Sequence, residues 1–168
     1  MSGPSVPEQG RGAGRAHDQQ GSQQGCEPPV RVMLVDDAGE VRWLIGLLVE
    51  DEAGWTVVGE ARDGAEAIVR AEQTRPDVVL LDMSMPVMDG LEALPHLRRV
   101  LPQALIVLVT AFPVAEVREV AVGCGADACL DKVDMATTLV PALLRLHAER
   151  QQARGPGAQP GHALGPRP

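Results

Sequence analysis

Short, largely apolar runs alternate with helical patterns along most of this chain, and this alternation restricts the folds open to it. Runs of strand length span residues 30–35, 55–61, 78–81, 104–109 and 128–130. Strands that are apolar on both faces are typical of a parallel sheet covered by helices on both sides. The alternation therefore predicts an α/β fold, a doubly wound five-stranded parallel sheet with helices on both faces.

The segment that follows each run has apolar residues at helical spacing, as Val41, Ile45 and Val49 have in the first. Helices are predicted at 38–51, from 63 to about 74, and at 91–101, 114–122 and 135–149. Asp63 is expected to cap the second helix, because its side chain can accept a hydrogen bond from the first turn. Proline and glycine residues mark the helix ends.

Composition favours one folded domain between two tails. Residues 1–27 and 151–168 are rich in glycine, glutamine and proline. Such segments bury too little apolar surface to offset the entropy lost on ordering, so both tails are predicted to be disordered. Residues 28–150 form the predicted domain, a length at which a single hydrophobic core is normal.

Charge and cysteine usage exclude several classes of function. Residues 28–149 contain twenty Asp and Glu against ten Arg and Lys, and an acidic domain repels nucleic-acid phosphates. The first 27 residues lack the apolar core of a secretory signal, and no apolar run could cross a bilayer. Cys26, Cys124 and Cys129 are expected to be reduced thiols. These features predict a cytoplasmic protein with no direct contact to nucleic acid or membrane.

Polar residues of a particular set follow the predicted strands. Asp36 and Asp37 follow the first strand, Asp82 the third, Thr110 the fourth and Lys132 the fifth. The carboxyl ends of parallel strands meet at one edge of the sheet, so we expect these side chains to converge. Three carboxylates in one place repel each other, and a divalent cation with oxygen ligands would offset their charge. Mg²⁺ is the usual choice in phosphate chemistry.

Together these groups suit the transfer of a phosphoryl group. A metal, an ammonium and a hydroxyl can neutralise and position a phosphoryl group, and a carboxylate such as Asp82 can accept it as an aspartyl-phosphate. Lys132 is the only lysine among 15 basic residues, which agrees with a requirement for an ammonium at this position.

Four sequence stretches resemble the signature of bacterial response-regulator receiver domains. They are VMLVDD (32–37), VVLLDMSMPVMDG (78–90), IVLVTA (106–111) and GADACLDK (125–132), and each closes a predicted strand. The resemblance extends over about 120 residues, nearly the whole predicted domain. It implies a flavodoxin-like fold of the receiver type.

The resemblance also implies a set of metal ligands. Asp37 and Asp82 match the direct Mg²⁺ ligands, and Asp36 matches the residue that holds the metal through water. Ser84 would contribute its backbone carbonyl. The expected metal site therefore consists of Asp36, Asp37, Asp82 and Ser84.

Roles in phosphoryl transfer follow from the same resemblance. Asp82 matches the phosphoacceptor, and Lys132 would pair with the incoming phosphoryl oxygens. Thr110 would move toward the phosphoryl group and bond it, with Ala111 leaving room beside it. The donor would be a histidine kinase, a phosphotransfer protein or a small phosphodonor. The only catalysis expected is self-phosphorylation and slow autodephosphorylation.

The expected output depends on a partner. About 18 residues follow the last predicted helix, too few for a DNA-binding domain, so an unidentified output protein is expected to receive the signal. The last two helices and the fifth strand would form the contact surface. Phosphorylation could also produce a homodimer.

Three positions depart from or refine the pattern. Cys129 stands where receiver domains usually carry Tyr or Phe, so the usual aromatic response to phosphorylation is in doubt. Val133 replaces the common proline after the lysine, which excludes a cis Lys–Pro bond. Phe112, together with Ser84, could tune the rate at which the phosphoryl group is hydrolysed.

Other functions fit the sequence less well. A degenerate receiver that binds partners without phosphorylation is disfavoured, because every expected site residue is present. A hydrolase of the haloacid dehalogenase type needs a second aspartate two residues after the nucleophile, where this chain has Ser84. Nucleotide binding is disfavoured because no phosphate-binding glycine loop that ends in Gly-Lys occurs.

Overall fold

A computed structural model of the protein describes residues 28–155, and it contains the predicted alternation of five strands and five helices. The elements, in chain order, are β1 (Val30–Val35), α1 (Gly39–Glu50), β2 (Trp55–Ala61), α2 (Gly64–Thr74), β3 (Val78–Asp82), α3 (Gly90–Val100), β4 (Leu105–Thr110), α4 (Val114–Cys124), β5 (Ala128–Asp131) and α5 (Met135–Arg154). Of the predicted tails, residues 1–27 and residues 156–168 lie outside the described residues.

The five strands form one parallel sheet in the order β2-β1-β3-β4-β5. This arrangement confirms the predicted doubly wound α/β fold. β2 lies on one side of β1 and β3 on the other, so the chain reverses its direction across the sheet after β2. In sheets of this kind the crevice above the carboxyl ends of the strands, at the point where the order reverses, is the usual place for a functional site.

Helices cover both faces of the sheet, and each face has its own apolar core. Alternate strand residues point to opposite faces, so Leu81 packs in the core under α2, α3 and α4, whereas Leu80 packs in the core under α1 and α5. Every residue of β3 and β4 is buried. The carboxyl ends of β3 and β4 therefore belong to fully buried strands.

Polar caps fix the beginnings of α2 and α3. The Asp63 side chain accepts a hydrogen bond from the Glu66 amide, as predicted. Asp89 and Glu92 form a reciprocal capping box at the start of α3. Because Asp89 is the cap, α3 begins at Gly90, one residue before the predicted start.

Two boundaries differ in ways that affect the predicted site and domain. β4 continues through Thr110, because this residue still pairs with Asp131 of β5. α5 continues to Arg154, so residues 151–154, assigned from composition to the disordered tail, are helical. Arg150 donates hydrogen bonds to the Gln103 carbonyl and to Asp127, and these contacts fix the end of α5 against the domain.

No helix among residues 28–155 is long and apolar enough to cross a membrane.

Candidate active site

Three aspartates meet at the carboxyl edge of the sheet, where β1 and β3 end. Asp36 and Asp82 are buried and Asp37 is exposed, and one carboxylate oxygen from each lies within 4.8 Å of the others. The three residues come from sequence positions far apart, and they meet because β1 and β3 are neighbours in the sheet. The structure thus brings together the carboxylates that the sequence predicted to converge.

Lys132 joins this cluster from the loop after β5. Its ammonium nitrogen lies 2.7 Å from Asp36 Oδ2 and 2.8 Å from Asp82 Oδ1. The Lys132 amide donates to the Thr110 carbonyl, which fixes the loop beside the end of β4. In this protein the Lys132 ammonium therefore bonds two carboxylates, whereas the resemblance implied a phosphoryl partner for it.

Burial and charge act in opposite directions on the two bonded groups. Burial raises the pKa of Asp82, and the charge of Asp36 adds to the increase, although the hydrogen bond from Lys132 opposes it. For Lys132, burial alone would lower the pKa, but the bonds to Asp36 and Asp82 outweigh it and raise the pKa above its ordinary value. Lys132 is therefore charged at neutral pH, while the ionised form of Asp82 is disfavoured relative to an aspartate in water.

The backbone around Asp82 is held in place by close contacts. The Ser84 amide donates to the Asp82 carboxylate. Gly90, the first residue of α3, packs so closely that a Cβ there would lie 2.2 Å from the Asp82 carbonyl oxygen. Any larger residue at position 90 would force the start of α3 away from the end of β3, so the glycine is part of the site's construction.

The end of β1 is held by α1. The Asp36 side chain accepts a hydrogen bond from the Ala38 amide, at 2.9 Å. Arg42 donates to the Asp36 carbonyl at 2.6 Å and forms an ion pair with Glu60 of β2 at 2.9 Å. Asp36 therefore has both its backbone and its side chain fixed.

Thr110 is fully buried at the end of β4, and its hydroxyl has two partners. It accepts a hydrogen bond from the Phe112 amide at 3.0 Å and donates to the thioether sulfur of Met83 at 3.7 Å. Neither partner is Asp82. The Thr110 hydroxyl is therefore bonded away from Asp82 in this structure.

The two positions that depart from the receiver pattern differ in exposure. Cys129 is buried in the core under α4, and burial raises the pKa of its thiol. Val133 is exposed, and its amide donates to Asp131, which forms the turn after β5. No peptide bond among residues 28–155 is cis.

The donor set fits a magnesium ion. Mg²⁺ binds carboxylate and carbonyl oxygens, and the Asp36, Asp37 and Asp82 side chains supply carboxylates of this kind within 4.8 Å of one another. Lys132 neutralises only one of the three negative charges. A cation would therefore offset charge that the protein itself leaves uncompensated. Ser84, whose backbone carbonyl the resemblance implies as a further ligand, is exposed in the loop after Asp82.

Sequence reasoning missed three contributors to this site. Met83, Gly90 and Arg42 are not among the predicted site residues. Gly90 had a signal in the sequence, since an Asp-Gly pair preceding an apolar helical pattern indicates a close turn. The contacts of Met83 and Arg42 depend on the tertiary arrangement.

Comparison with known proteins identifies the family. A family model for the response regulator receiver domain matches residues 32–143. The protein-glutamate methylesterase/protein-glutamine glutaminase 1 of Paramagnetospirillum magneticum is 37% identical, with 82% of this chain and 38% of that protein covered. The transcriptional regulatory protein PdtaR of Mycobacterium tuberculosis is 37% identical, with 68% of this chain and 55% of that protein covered. The chain therefore spans about a third to a half of the length of these curated relatives.

Solved structures agree with this result. A response regulator of the LuxR family from Aurantimonas sp. SI85-9A1 is 34% identical with a TM-score of 0.68, over 73% of this chain and 87% of that one. The response regulator domain of Thermotoga maritima CheB is 26% identical with a TM-score of 0.66, over 74% and 97%. The family model, the strand order and the four sequence stretches agree, and the chain belongs to the family of response regulator receiver domains.

Proposed function

We propose that this protein is the phosphoacceptor of a two-component phosphorelay and that Asp82 carries the phosphoryl group. The observation that supports the proposal most directly is the buried Asp82 carboxylate, which is bonded to Lys132 and lies beside two further carboxylates at the end of a buried strand. An aspartate in such surroundings can serve as a nucleophile whose product is neutralised by cations.

The residues act together in a single displacement. An Asp82 oxygen attacks the phosphorus of a phosphohistidine, a P–O bond forms, and the P–N bond breaks. The imidazole nitrogen keeps the electron pair and takes up a proton. Asp36, Asp37 and Asp82, with the Ser84 carbonyl, would hold Mg²⁺, which when bound offsets the charge of the carboxylates and the phosphoryl oxygens.

Lys132 and Thr110 stabilise the product. The Lys132 ammonium stays at the site and pairs with a phosphoryl oxygen, since the new group sits on the carboxylate that it already bonds. The Thr110 hydroxyl leaves its present partners and donates to a second phosphoryl oxygen. This motion changes the backbone around Phe112, whose amide now bonds that hydroxyl.

The phosphoryl donor is a histidine kinase or a phosphotransfer protein in the cytoplasm, and an output protein receives the signal. The acidic surface of residues 28–149 opposes direct binding to nucleic acid. Such a partner, or a second copy of the chain in a homodimer, would bind the phosphorylated form. The protein itself acts as a signalling receiver, and its only catalysis is its own phosphorylation and slow dephosphorylation.

Labelling with a small phosphodonor tests the proposal. The full chain, incubated with phosphoramidate and Mg²⁺, is expected to gain one phosphoryl group by intact mass. Asp82→Asn should gain none, while Asp51→Asn, which alters an exposed acid after α1, should behave as the wild type. An unlabelled wild type, or equal labelling of Asp82→Asn, would contradict the assignment and favour a degenerate receiver that acts without phosphorylation.

A further inference from the structure

The Thr110 hydroxyl is held by two groups, and one of them is a side chain with no assigned role. Thr110 is fully buried, so its hydroxyl needs partners within the protein. It accepts from the Phe112 amide and donates to Met83 Sδ. The described residues contain no buried side-chain nitrogen or oxygen without a partner, so the thioether completes the bonding of this hydroxyl.

We propose that Met83 is a positioning residue: its thioether holds the Thr110 hydroxyl in the unphosphorylated protein and releases it when Asp82 carries a phosphoryl group. The inference rests on the proposed function, and it concerns how the same site is regulated. It assigns to Met83 the control of how readily the domain enters its phosphorylated conformation.

The backbone fixes where the Met83 side chain begins. β3 and β4 pair so that Asp82, the last residue of β3, lies opposite Val109. Met83 follows directly after β3, and Thr110 is the last residue of β4. The Met83 amide donates to the Val109 carbonyl at 3.1 Å, and its carbonyl accepts from the Gly90 amide at 2.9 Å. Met83 is therefore bound on both sides, next to Thr110, and its position does not depend on a free loop.

The hydrogen bond from the Thr110 hydroxyl to the Met83 sulfur is weak enough to be exchanged for another. A thioether is a weak acceptor, whereas a phosphoryl oxygen is charged and forms a stronger hydrogen bond. A hydroxyl that donates to sulfur is satisfied in the unphosphorylated protein, and it gains free energy by changing partner once the phosphoryl group is present. A carbonyl in place of the sulfur would hold the hydroxyl more firmly and oppose the change.

The same loop offers a matched control. Met83, Met85 and Met88 are all partly buried, and all pack against the core under α2, α3 and α4. Only Met83, among these three, bonds the Thr110 hydroxyl. Met85→Leu therefore changes the same side chain in the same loop and leaves the proposed contact in place.

The experiment uses beryllofluoride with Mg²⁺ as the phosphoryl mimic. Incorporation of 4-fluorophenylalanine gives a single label, because Phe112 is the only phenylalanine of the chain. Since the Phe112 amide bonds the Thr110 hydroxyl, its ¹⁹F resonance reports the position of that hydroxyl without any ligand present. The affinity for beryllofluoride is measured in parallel, and thermal unfolding checks the fold.

Two substitutions at Met83 should act in opposite directions. Met83→Leu removes the acceptor, so the resonance of the unliganded protein should move toward the liganded position and beryllofluoride should bind about threefold more tightly. Met83→Gln supplies an amide carbonyl, so binding should weaken by about threefold. Met85→Leu should match the wild type. If Met83→Leu does not fold, the direction of the Met83→Gln effect decides.

A Thr110→Val background tests whether Met83 acts through the hydroxyl. Substitution of Met83 should then leave the affinity unchanged, because no hydroxyl remains to be held. A shift of equal size in that background, or the same direction of change in Met83→Leu and Met83→Gln, would overturn the inference. If the wild type does not respond to beryllofluoride at all, the proposed function itself fails. If the wild type responds and Met83→Leu resembles Met85→Leu, only the role of Met83 fails.

Discussion

The two edges of the sheet both carry ionic clusters, but the clusters differ in completeness. At the amino edge Asp127 accepts hydrogen bonds from Arg98, from Arg150 and from the Ile106 amide. Arg98 also donates to the carbonyls of Gly125 and Ala104, which lie near the ends of α4 and α3. At this edge the negative charge of Asp127 is matched by two arginines, and the Gly125 and Ala104 carbonyls have donors.

The carboxyl edge is different. Asp36 and Asp82 share the Lys132 ammonium, and Asp37 adds a third carboxylate beside them, so negative charge remains in excess. The Thr110 hydroxyl, close by in the sheet, donates to a weak thioether acceptor. A complete network resists change and stabilises one structure, whereas an incomplete network favours an added cation or phosphoryl group. The amino-edge network is therefore suited to stabilising the fold, and the carboxyl-edge network to binding a cation or a phosphoryl group.

Loss of Arg98 should have the largest effect on stability. Arg98→Ala leaves Asp127 with one fewer partner and leaves several loop carbonyls without donors, so the free energy of unfolding should fall by about 3 kcal/mol. Urea unfolding measures this, and Arg99→Ala, at the exposed neighbouring position, should change it little. Equal effects of the two substitutions would show that the amino-edge network does not stabilise the domain.

Loss of Lys132 should have a smaller and conditional effect. Lys132→Met leaves the carboxylates without their cation, so the free energy of unfolding should fall by about 2 kcal/mol without Mg²⁺. Added Mg²⁺ should recover part of this loss by binding the folded state. The control is Arg98→Ala, because Mg²⁺ should not recover the free energy of unfolding that this substitution costs.

The pH dependence of the same variant has a definite sign. The pKa of Lys132 is raised from 10.5, so folding strengthens its hold on a proton. The stabilisation it contributes should be fully present below about pH 10.5 and should disappear as the pH rises through the folded-state pKa. Unfolding of the wild type and Lys132→Met across this range measures the effect. A difference that grew with pH would contradict the prediction.

The loop before α3 has a strained backbone at Val87, and relief of this strain should raise the free energy of unfolding moderately. Val87 has a φ of 68° and is 85% exposed, and the Met88 amide bonds the Pro86 carbonyl across it. A β-branched residue is unfavourable in this left-handed conformation. Val87→Asn should raise the free energy of unfolding by about 1 kcal/mol. Val133→Asn, at an exposed valine with ordinary φ, is the control and should not stabilise.

Phe112 should have the smallest effect, on the rate of phosphoryl loss. The ring is 51% exposed, two residues after Thr110, where it could limit the approach of water to the phosphoryl group. Phe112→Ala should therefore shorten the phosphoryl lifetime by about threefold. Val120→Ala, at another exposed apolar position on α4, should leave it unchanged. An unchanged lifetime in Phe112→Ala and in a Ser84 substitution would exclude this role.

Much of the carboxyl edge could be predicted from the sequence because its residues follow strands. Asp36, Asp82 and Lys132 each end an apolar run, and parallel pairing brings the ends of such runs together regardless of how far apart they lie in the chain. No comparable sequence rule predicts the contacts at the amino edge. Arg98 of α3 and Asp127, in the loop between α4 and β5, meet only through the tertiary arrangement, and single arginines and aspartates give no signal of that contact.

The sequence by itself determined the succession of strands and helices along the chain and the group of polar residues at the carboxyl edge, because hydrophobic periodicity and strand termination are local properties of the chain. Only the tertiary structure decided how those residues bond: that Lys132 spans Asp36 and Asp82, that the Thr110 hydroxyl donates to Met83, and that α5 extends to Arg154. The physical reason is that a side chain's hydrogen-bond partner depends on differences of a few tenths of an ångström in the distances between elements that are remote in sequence. Those distances are set by the packing of the whole core.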